Sequence, residues 1–397
     1  MKKQLIISTL ILLFLILGTL AVTFYGEGYG INFQQGKIQI SGTGLLVATS
    51  SPDGAEVLVN GHLTTATNNT INLIPGNYKV EIFKEGYFPW YKEIKVKKEV
   101  VSKAEALLLP TAPELQNLTN TGIANPIIDP TLTKIAYTVS SQSAQRNGIY
   151  VFNLNSNNLI SLSGSETQIA NDQTDNFSTA QLSWSPDGNN LLATVSSSLK
   201  TTTYLLNANS FNTSPQDVTE TLADVQNNWN NQIKEKTNNQ ILGLNKNLKT
   251  VIKNDFKILS ISPDESKILY IASVSATIPE IITPALIGVD STPQDRNIQT
   301  GKIYVYDIKE DRNYPIPFSP SNNEYPLHWL NDSKHLVVVE NKKVEIEEYD
   351  GGNKTTIYAG PFVDSFAYPW PDGSKIVIST NLGNSQILPN LYTISLK

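Results

Sequence analysis

The stretch Ser185-Pro186-Asp187-Gly188, followed at once by the apolar run Leu191-Leu192-Ala193, decides the fold of this chain. A tight polar turn before a short apolar strand recurs four more times at intervals of tens of residues. Such repetition is typical of stacked β units, and short strands with these turns indicate a β-propeller. The other copies are Ser262-Pro263-Asp264-Glu265 before Ile268-Leu269-Tyr270-Ile271, Asn331-Asp332-Ser333 before Leu336-Val337-Val338-Val339, Pro371-Asp372-Gly373 before Ile376-Val377-Ile378, and the degenerate Asp129-Pro130-Thr131-Leu132 before Ile135-Ala136-Tyr137.

The spacing of the turns predicts the number of blades. The shortest interval between turns suffices for a four-stranded blade, so the longer intervals carry insertions. Five blades follow, and six would require a blade hidden within an insertion. The chain ends shortly after a third strand of the last repeat, and a propeller removes its open edges by closing the ring. We therefore expect residues 114–119 to complete the last blade beside the C-terminal strand.

These repeats resemble the TolB-like, WD40-like β-propeller repeat, in which a lysine follows the turn. That lysine is present at Lys134, Lys267, Lys334 and Lys375, while Asn190 stands in its place in the second copy. The resemblance covers roughly residues 113–397 and implies a propeller over 111–397. Trp184 and Trp329 occupy the same repeat position and are predicted to be core residues.

Two insertions interrupt the repeats. Residues 219–254 carry apolar side chains at helical spacing, which predicts a helical hairpin whose apolar stripe lies on the propeller. A docking surface for a partner is the alternative. The second insertion, residues 277–300, contains three prolines and few charges, and is predicted to be a long ordered loop over one propeller face. The apolar helical positions are Leu222, Val225, Trp229 and Ile233, then Ile241, Leu244, Leu248 and Val251.

Residues 44–110 alternate apolar and polar side chains with period two, which predicts a half-buried antiparallel sheet. This stretch resembles the PEGA domain, with Asp53 where the eponymous motif has Glu. The resemblance implies a β-sandwich-like extracytoplasmic module, structural or adhesive, without catalytic residues. The matching segments are Pro52-Asp53-Gly54-Ala55, Val57-Leu58-Val59-Asn60-Gly61, Leu73-Ile74-Pro75-Gly76-Asn77-Tyr78 and Lys84-Glu85-Gly86-Tyr87.

Residues 5–24 contain no charged side chain and follow Lys2 and Lys3. A helix of this length matches the thickness of a bilayer core, and the lysines favour a cytoplasmic N-terminus. We expect an uncleaved, single-pass anchor over residues 1–25, a flexible linker over 26–43, and the bulk of the chain outside the cytoplasm at the cell membrane of a bacterium. A cleaved signal peptide is the alternative.

Composition excludes several function classes. The net charge is −6, and a nucleic-acid-binding protein requires a basic face, so no nucleic-acid partner is expected. The chain has no cysteine and therefore no disulfide or thiolate site. His62, His328 and His335 do not have metal-ligand spacing. The repeated aspartates are not catalytic candidates, because aspartates in such turns bond their own backbone. No catalytic constellation and no cofactor or metal site are predicted.

Two sets of residues are candidate interaction surfaces. A charged set surrounds the third repeat; surface ion pairs are the alternative explanation. An aromatic set in the N-terminal module could stack on carbohydrate, although burial is the commoner role of aromatic side chains. The charged set is Asp290, Asp295, Arg296, Asp307, Glu310, Asp311 and Arg312, and the aromatic set is Tyr87, Phe88, Trp90 and Tyr91.

Together these patterns predict a mainly β, non-enzymatic envelope protein. A membrane helix would carry a PEGA-like spacer that presents a propeller to another envelope protein or to a surface polysaccharide. One alternative is a propeller enzyme that acts on polysaccharide, which requires carboxylates converging in the central funnel. Another is a sensor for a small ligand, which requires a deep pocket.

Overall fold

A computed structural model describes residues 2–26, 29–34, 37–155, 165–318, 325–363 and 365–397. The chain forms two compact units. Unit 1 comprises residues Met1–Leu109 together with Ile282–Gln294, and unit 2 comprises Pro110–Ile281 and Asp295–Lys397. The second insertion of the propeller sequence therefore contributes its central part to the N-terminal unit, which the sequence did not predict.

Helix α1 begins unit 1 and runs from Lys2 to Gly26. Its described apolar side chains are exposed, as at Phe14, which is 76% exposed, and Val22, which is 72% exposed. Within the described residues, no helix has the length and the sustained hydropathy needed to cross a bilayer. The helix predicted over residues 5–24 is present, while the membrane anchor stays a prediction.

The segment predicted as a flexible linker, residues 26–43, instead contains a β-hairpin. Strands β1 (Tyr29–Gln34) and β2 (Lys37–Gly42) pair in antiparallel register, with Ile31 opposite Ile40. The linker prediction is wrong at these positions because it missed the alternation of apolar and polar residues that marks a strand. Residues 27, 28, 35 and 36 of the predicted linker lie outside the described residues.

Seven strands build the sandwich of unit 1. Sheet order is β6-β3-β9 in one layer and β5-β4-β7-β8 in the other. Between them lies an apolar core that includes Leu46, Ile82 and Trp90. The strands are β3 (Gly44–Ser51), β4 (Glu56–Val59), β5 (His62–Ala66), β6 (Asn69–Leu73), β7 (Gly76–Phe83), β8 (Trp90–Val96) and β9 (Val101–Leu107).

One strand pair differs from the antiparallel sheet that was predicted. Strands β3 and β9 are parallel, with Leu45 beside Val101 and Ser51 beside Leu107. Period-two alternation is the same in parallel and antiparallel strands, so the pattern could not reveal strand direction.

Unit 2 consists mainly of five four-stranded antiparallel sheets, which we number as blades 1 to 5. Blade 5 combines the last three strands of unit 2 with β10, which is the first strand of unit 2. The strands are β10 (Leu115–Asn117); β11 (Ala124–Ile128), β12 (Lys134–Val139), β13 (Gly148–Asn153) and β14 (Glu166–Asn171) in blade 1; β15 (Gln181–Trp184), β16 (Asn190–Ser196), β17 (Thr201–Asn207) and β18 (Gln216–Asp217) in blade 2; β19 (Phe256–Ile261), β20 (Lys267–Ala272), β23 (Ile303–Asp307) and β24 (Arg312–Ile316) in blade 3, with the hairpin β21 (Ala276–Thr277) and β22 (Asn297–Ile298) between β20 and β23; β25 (Leu327–Trp329), β26 (His335–Glu340), β27 (Lys343–Glu348) and β28 (Thr355–Ala359) in blade 4; and β29 (Ala367–Pro369), β30 (Lys375–Thr380) and β31 (Asn390–Ser395) in blade 5.

Strand β10 closes the ring as the sequence predicted. Leu115 pairs with Ile394 and Asn117 pairs with Tyr392, both in antiparallel register. A core cluster joins blade 5 to blade 1 and contains Val377 beside Ile135. Strand β10, the first strand of unit 2, therefore covers the edge of blade 5, which would otherwise present unpaired backbone groups.

Buried apolar side chains join neighbouring blades elsewhere in the ring. One cluster joins blade 1 to blade 2 and includes Trp184, and another joins blade 3 to blade 4 and includes Trp329. These two tryptophans are 8% and 4% exposed, so their predicted role as core residues is confirmed. Between blades 4 and 5, the rings of His328 and Tyr368 lie 4.3 Å apart.

The repeated turns also contact one another from blade to blade. The Lys134 ammonium in blade 1 donates to the carbonyl of Gly188, the turn glycine of blade 2, at 3.0 Å. Gly188 has a φ of +68°, and an added Cβ would lie 2.6 Å from a carboxylate oxygen of Asp129. Glycine is required here both for the left-handed backbone and for the close approach of the neighbouring turn.

Two helices occupy the predicted helical insertion: α2 (Leu222–Leu242) and α3 (Lys246–Asp255). Helix α3 buries Leu248, Val251 and Ile252 against blade 3. Helix α2 has no fully buried residue, and its Ile233 is 51% exposed. The predicted apolar stripe on the propeller is therefore confirmed for α3, whereas in α2 the predicted positions Leu222, Val225 and Trp229 are only half-buried.

Candidate functional site

The charged set predicted around the third repeat is divided between the two units and is partly buried. Asp290 belongs to unit 1, and the other six residues belong to unit 2. Asp307 and Asp311 are only 3% and 5% exposed. Burial of this degree is incompatible with a surface that meets a partner through these two carboxylates.

Asp311 instead holds both ends of the long insertion. Its carboxylate lies 3.0 Å from the Arg296 guanidinium and accepts a hydrogen bond from the backbone amide of Ile281 at 2.7 Å. The Tyr306 hydroxyl donates to the same carboxylate at 2.6 Å, and Arg296 also donates to the carbonyl of Pro279 at 2.8 Å. These bonds fix the residues on either side of Ile282–Gln294, so this part of the set is structural.

The remaining members of the set have separate partners. Asp307 lies 3.5 Å from the Lys267 ammonium and accepts a hydrogen bond from the backbone amide of Glu310. The Arg312 guanidinium stands over the ring of Tyr314, 5.7 Å from its centroid. Asp295 caps its own turn by accepting from the backbone amide of residue 297 at 2.8 Å.

The turn aspartates bond their own backbone, as predicted. Asp187 accepts from the Ser185 hydroxyl at 2.6 Å and from the backbone amide of Asn189 at 3.0 Å. These two bonds hold the pKa of Asp187 below its ordinary value. Asp264 and Asp372 make the same bond to the amide two residues on, which keeps these carboxylates occupied in turn geometry.

The innermost strands of the blades carry no carboxylate. The first strands of neighbouring blades contact one another, as β11 contacts β15 and β25 contacts β29, so these strands are nearest the ring axis. The described strands β11, β15, β19, β25 and β29 contain neither Asp nor Glu. The pair of funnel carboxylates that a propeller glycosidase would require is therefore missing from these strands.

One titratable side chain on these inner strands, His328 on β25, has a strongly shifted pKa. Burial lowers its pKa to about 4, so its imidazole is neutral through the physiological range. Its ring packs against the tilted ring of Tyr368, with the two centroids 4.3 Å apart.

The aromatic residues predicted as one cluster do not share one face of the sheet. Trp90 is 3% exposed and lies in the core of unit 1, and Tyr87 packs against that core. Tyr91, the next residue along β8 from Trp90, points to the opposite face and is 55% exposed. The aromatic cluster is thus wrong as a continuous stacking surface, and Tyr91 alone projects from the open face of the sheet.

A groove surrounds Tyr91 on this open face. Its first part, about 570 Å³, extends from the β4–β5 turn across β7 to β8. Its second part, about 500 Å³, continues along β8 to residues 291–293. The two parts share Tyr91 and the neighbouring residues Lys92 and Glu93. We call the combined depression the Tyr91 groove.

Cross-strand pairing places charged side chains on both sides of the Tyr91 ring. Glu81 is opposite Tyr91, and Lys79 is opposite Glu93. The Tyr91 hydroxyl donates to the Glu81 carboxylate at 3.0 Å, and this bond raises the pKa of Tyr91. Lys95, paired with Asn77, completes the row. The outer face of β7 and β8 therefore presents two carboxylates and two ammonium groups.

One wall of the groove comes from residues Ile282–Gln294, which we call the strap. The Ser291 hydroxyl accepts a hydrogen bond from the backbone amide of Lys95 at 3.0 Å, on the edge strand β8. Asp290 of the strap lies 2.9 Å from Lys92, and both side chains are largely buried. Burial alone would raise the pKa of Asp290, but the Lys92 ammonium holds it below its ordinary value.

A second unusual arrangement is a carboxylate–lysine centre in blade 4. The Lys354 ammonium lies 3.2 Å from Glu345, 3.4 Å from Glu340 and 3.7 Å from Glu347. Glu347 is 0% exposed, and both of its carboxylate oxygens lack a hydrogen-bond partner among the described residues. No group of three or more metal-binding side chains occurs in the described ranges, so we treat this centre as an ionic one.

Sequence reasoning missed the groove and this centre for different reasons. In the sequence, Lys79, Glu81 and Glu93 alternate with apolar residues, and this pattern alone indicates only an ordinary solvent-exposed face of a sheet. The strap could not be placed beside β8 from sequence, because 196 residues separate Lys95 from Ser291. The density of acidic residues at 345–350 was visible and could have pointed to the blade 4 centre.

Residues 43–111 match the PEGA domain. This stretch contains the whole sandwich β3–β9, so the resemblance stated from the motifs is confirmed. The strap lies outside the matched stretch and is an addition of this chain to that domain.

The chain is also similar to several solved structures. TolB from Acinetobacter baumannii is 17% identical, with 80% of this chain and 60% of that one covered, and a TM-score of 0.25. The propeller domain of the Trilobed protease from Pyrococcus furiosus is 14% identical, with 89% and 94% covered and a TM-score of 0.22. An oligogalacturonate lyase in complex with manganese is 12% identical, with 80% and 74% covered and a TM-score of 0.23. A comparison with curated proteins finds no match.

Proposed function

We propose that this protein is a non-catalytic binding scaffold of the cell envelope, which binds a protein or a surface polysaccharide through the Tyr91 groove. The observation that carries the proposal is the groove itself, with an aromatic ring that is 55% exposed between rows of charged side chains. Concave surfaces with an apolar centre and convergent polar groups are the usual form of binding sites.

The propeller supports a non-catalytic role in this proposal. Its described inner strands lack carboxylates, and its turn aspartates are bonded to their own backbone. Function must be argued from a site and not from a fold, and the groove in unit 1 is the better-formed site.

We further propose that α1 attaches the protein to a lipid bilayer with its N-terminus in the cytoplasm. Support comes from the exposed apolar side chains between Ile7 and Val22 and from the absence of charge over residues 5–24. Carbonate extraction of membranes from producing cells tests this attachment, because an integral protein stays in the pellet. Recovery of the full-length chain in the soluble fraction would contradict it.

Site-specific photo-cross-linking tests the binding scaffold. A photoreactive residue at position 91 of the full-length chain should capture a partner in intact cells. Placed at Phe83, which is 39% exposed and lines neither part of the groove, it serves as the matched control. Equal capture from both positions, or capture from neither together with no binding on a glycan array, would refute the proposal.

A further inference from the structure

We infer that the Tyr91 groove binds a linear, uncharged polysaccharide, which lies across Tyr91 and continues along the strap. The inference rests on the proposed function and deepens it by naming the ligand class. It follows from the shape of the groove, from its charge balance and from the position of the strap.

The shape of the groove indicates an extended ligand. Its two parts, of about 570 and about 500 Å³, both include Tyr91, Lys92 and Glu93 among their lining residues. A compact ligand would fill one part and leave the other to water. A chain that passes over Tyr91 can occupy both parts at once.

The charge balance indicates an uncharged ligand. The outer face carries Lys79 and Lys95 against Glu81 and Glu93, and these alternate across the strands. The strap adds no net charge, since Asp290 is paired with Lys92. A polyanion or polycation along this groove would meet like charges as often as opposite ones, which costs binding free energy.

The chemical groups match those of a sugar chain. Carboxylates accept and ammonium groups donate hydrogen bonds, while sugar hydroxyls do both. The Tyr91 ring offers an apolar surface to the C–H face of a pyranose, and its hydrogen bond to Glu81 at 3.0 Å fixes its orientation. A fixed aromatic ring loses little conformational entropy when a ligand binds.

The strap argues against an extended peptide as the occupant. A peptide that adds to a sheet pairs with the backbone of an edge strand. On β8, the strap already occupies part of that edge, because Ser291 accepts the hydrogen bond from the Lys95 amide. The same contact makes residues 291–293 a wall of the groove, so the site requires the strap as well as the PEGA domain.

Isothermal titration of the full-length chain in detergent with neutral oligosaccharides tests the inference. Series of β-1,4-glucan, α-1,6-glucan and α-1,6-mannan, from disaccharide to octasaccharide, serve as probes, with polygalacturonate and polylysine as charged competitors. For at least one neutral series we expect the affinity to rise with chain length and to change little with salt concentration. Neither charged polymer should displace the bound oligosaccharide.

Single substitutions test where in the Tyr91 groove the oligosaccharide binds. Tyr91→Ala should weaken binding about tenfold or more for every length, since Tyr91 lies in both parts of the groove. Lys79 lines only the first part of the groove and Asn77 only the second part. Lys79→Gln and Asn77→Ala should therefore each lower the affinity for long oligosaccharides several-fold. Only one of the two substitutions should lower the affinity for the shortest oligosaccharide that binds. Phe83→Ala should leave affinity unchanged.

The outcomes separate this inference from the proposed function. If no neutral series binds but position 91 captures a protein partner in cells, the ligand class is wrong and the scaffold stands. If a charged polymer binds more tightly than every neutral series, the charge argument is wrong. If binding does not depend on Tyr91, or if neither glycan nor protein is found at the groove, both proposals fail.

Discussion

Replacing Glu347 by glutamine should make the stability of blade 4 less sensitive to pH. Glu347 lies on β27 opposite Leu336, on the face of the blade that packs against blade 3. Its carboxylate is fully buried and has no hydrogen-bond partner among the described residues. An ionised carboxylate in such a place is costly unless an opposite charge compensates.

The Lys354 ammonium compensates this charge only in part. It lies 3.7 Å from Glu347 but nearer to Glu345 and Glu340. Burial raises the pKa of Glu347 from 4.5 to about 7, with Lys354 opposing the rise and Glu345 adding to it. Because the folded state holds this proton more tightly than the unfolded state, the stability it contributes is fully present below about pH 4.5 and is lost as pH rises through about 7.

The expected change in stability follows from the pKa shift of Glu347. A rise from 4.5 to about 7 corresponds to about 3 kcal/mol, at about 1.4 kcal/mol for each pKa unit. Glutamine has the same shape and cannot ionise. The stability of the Glu347→Gln variant relative to the original protein should therefore increase by about 3 kcal/mol between about pH 4.5 and about pH 8.5.

Amide hydrogen exchange of β26 and β27 in the full-length chain measures this difference, with both proteins compared at each pH. The matched control is Glu340→Gln, which removes another carboxylate from Lys354 but at a residue that is 21% exposed in its side chain. We expect this control to lower the stability of the blade. A Glu347→Gln difference that stays flat across the range, or a variant that is less stable at high pH, would refute the reasoning.

Three further predictions concern other buried or crowded positions. The His328→Gln variant should gain up to about 3 kcal/mol of stability relative to the original protein as pH falls from about 7 to about 4. The reason is that the pKa of His328 is lowered to about 4 in the folded state, so the unfolded chain takes up the proton first. Urea unfolding followed by fluorescence measures this difference. Lys92→Met should lower the unfolding free energy of unit 1, measured by amide hydrogen exchange, by about 3 kcal/mol, because it leaves the buried Asp290 without its ammonium partner. A second substitution, Asp290→Leu, should restore most of this loss. Gly188→Ala should lower the unfolding free energy by about 1–3 kcal/mol more than Gly373→Ala, since both have a φ near +70° but only the first meets a neighbouring carboxylate at 2.6 Å.

Each of these has its own contrary result. A His328→Gln difference that does not grow on acidification would mean that the imidazole is not desolvated. Full stability of Lys92→Met would mean that the strap does not depend on this pair. Equal losses in the two glycine variants would show that only backbone strain matters and that neighbouring turns do not touch closely.

The sequence by itself determined the elements and their repetition. The Ser-Pro-Asp-Gly turns predicted five blades, and the surplus strand near residue 115 predicted ring closure, because turn chemistry and strand periodicity are local properties of the chain. The motifs around Pro52 and Tyr87 were likewise enough for the PEGA domain. Alternation alone could not give the direction of β9 beside β3, since it is the same in either direction.

Only the tertiary structure decided which side chains meet. Asp290 was counted with Asp295 and Arg296 because they are neighbours in sequence, yet Asp290 lies with its partner Lys92 in unit 1, whereas Asp295 and Arg296 belong to unit 2. Tyr91 was grouped with Trp90, yet successive residues of a strand face opposite ways. Burial of Glu347 also depends on a neighbouring blade. Contacts between residues far apart in sequence follow from how whole elements pack, and no local pattern encodes them.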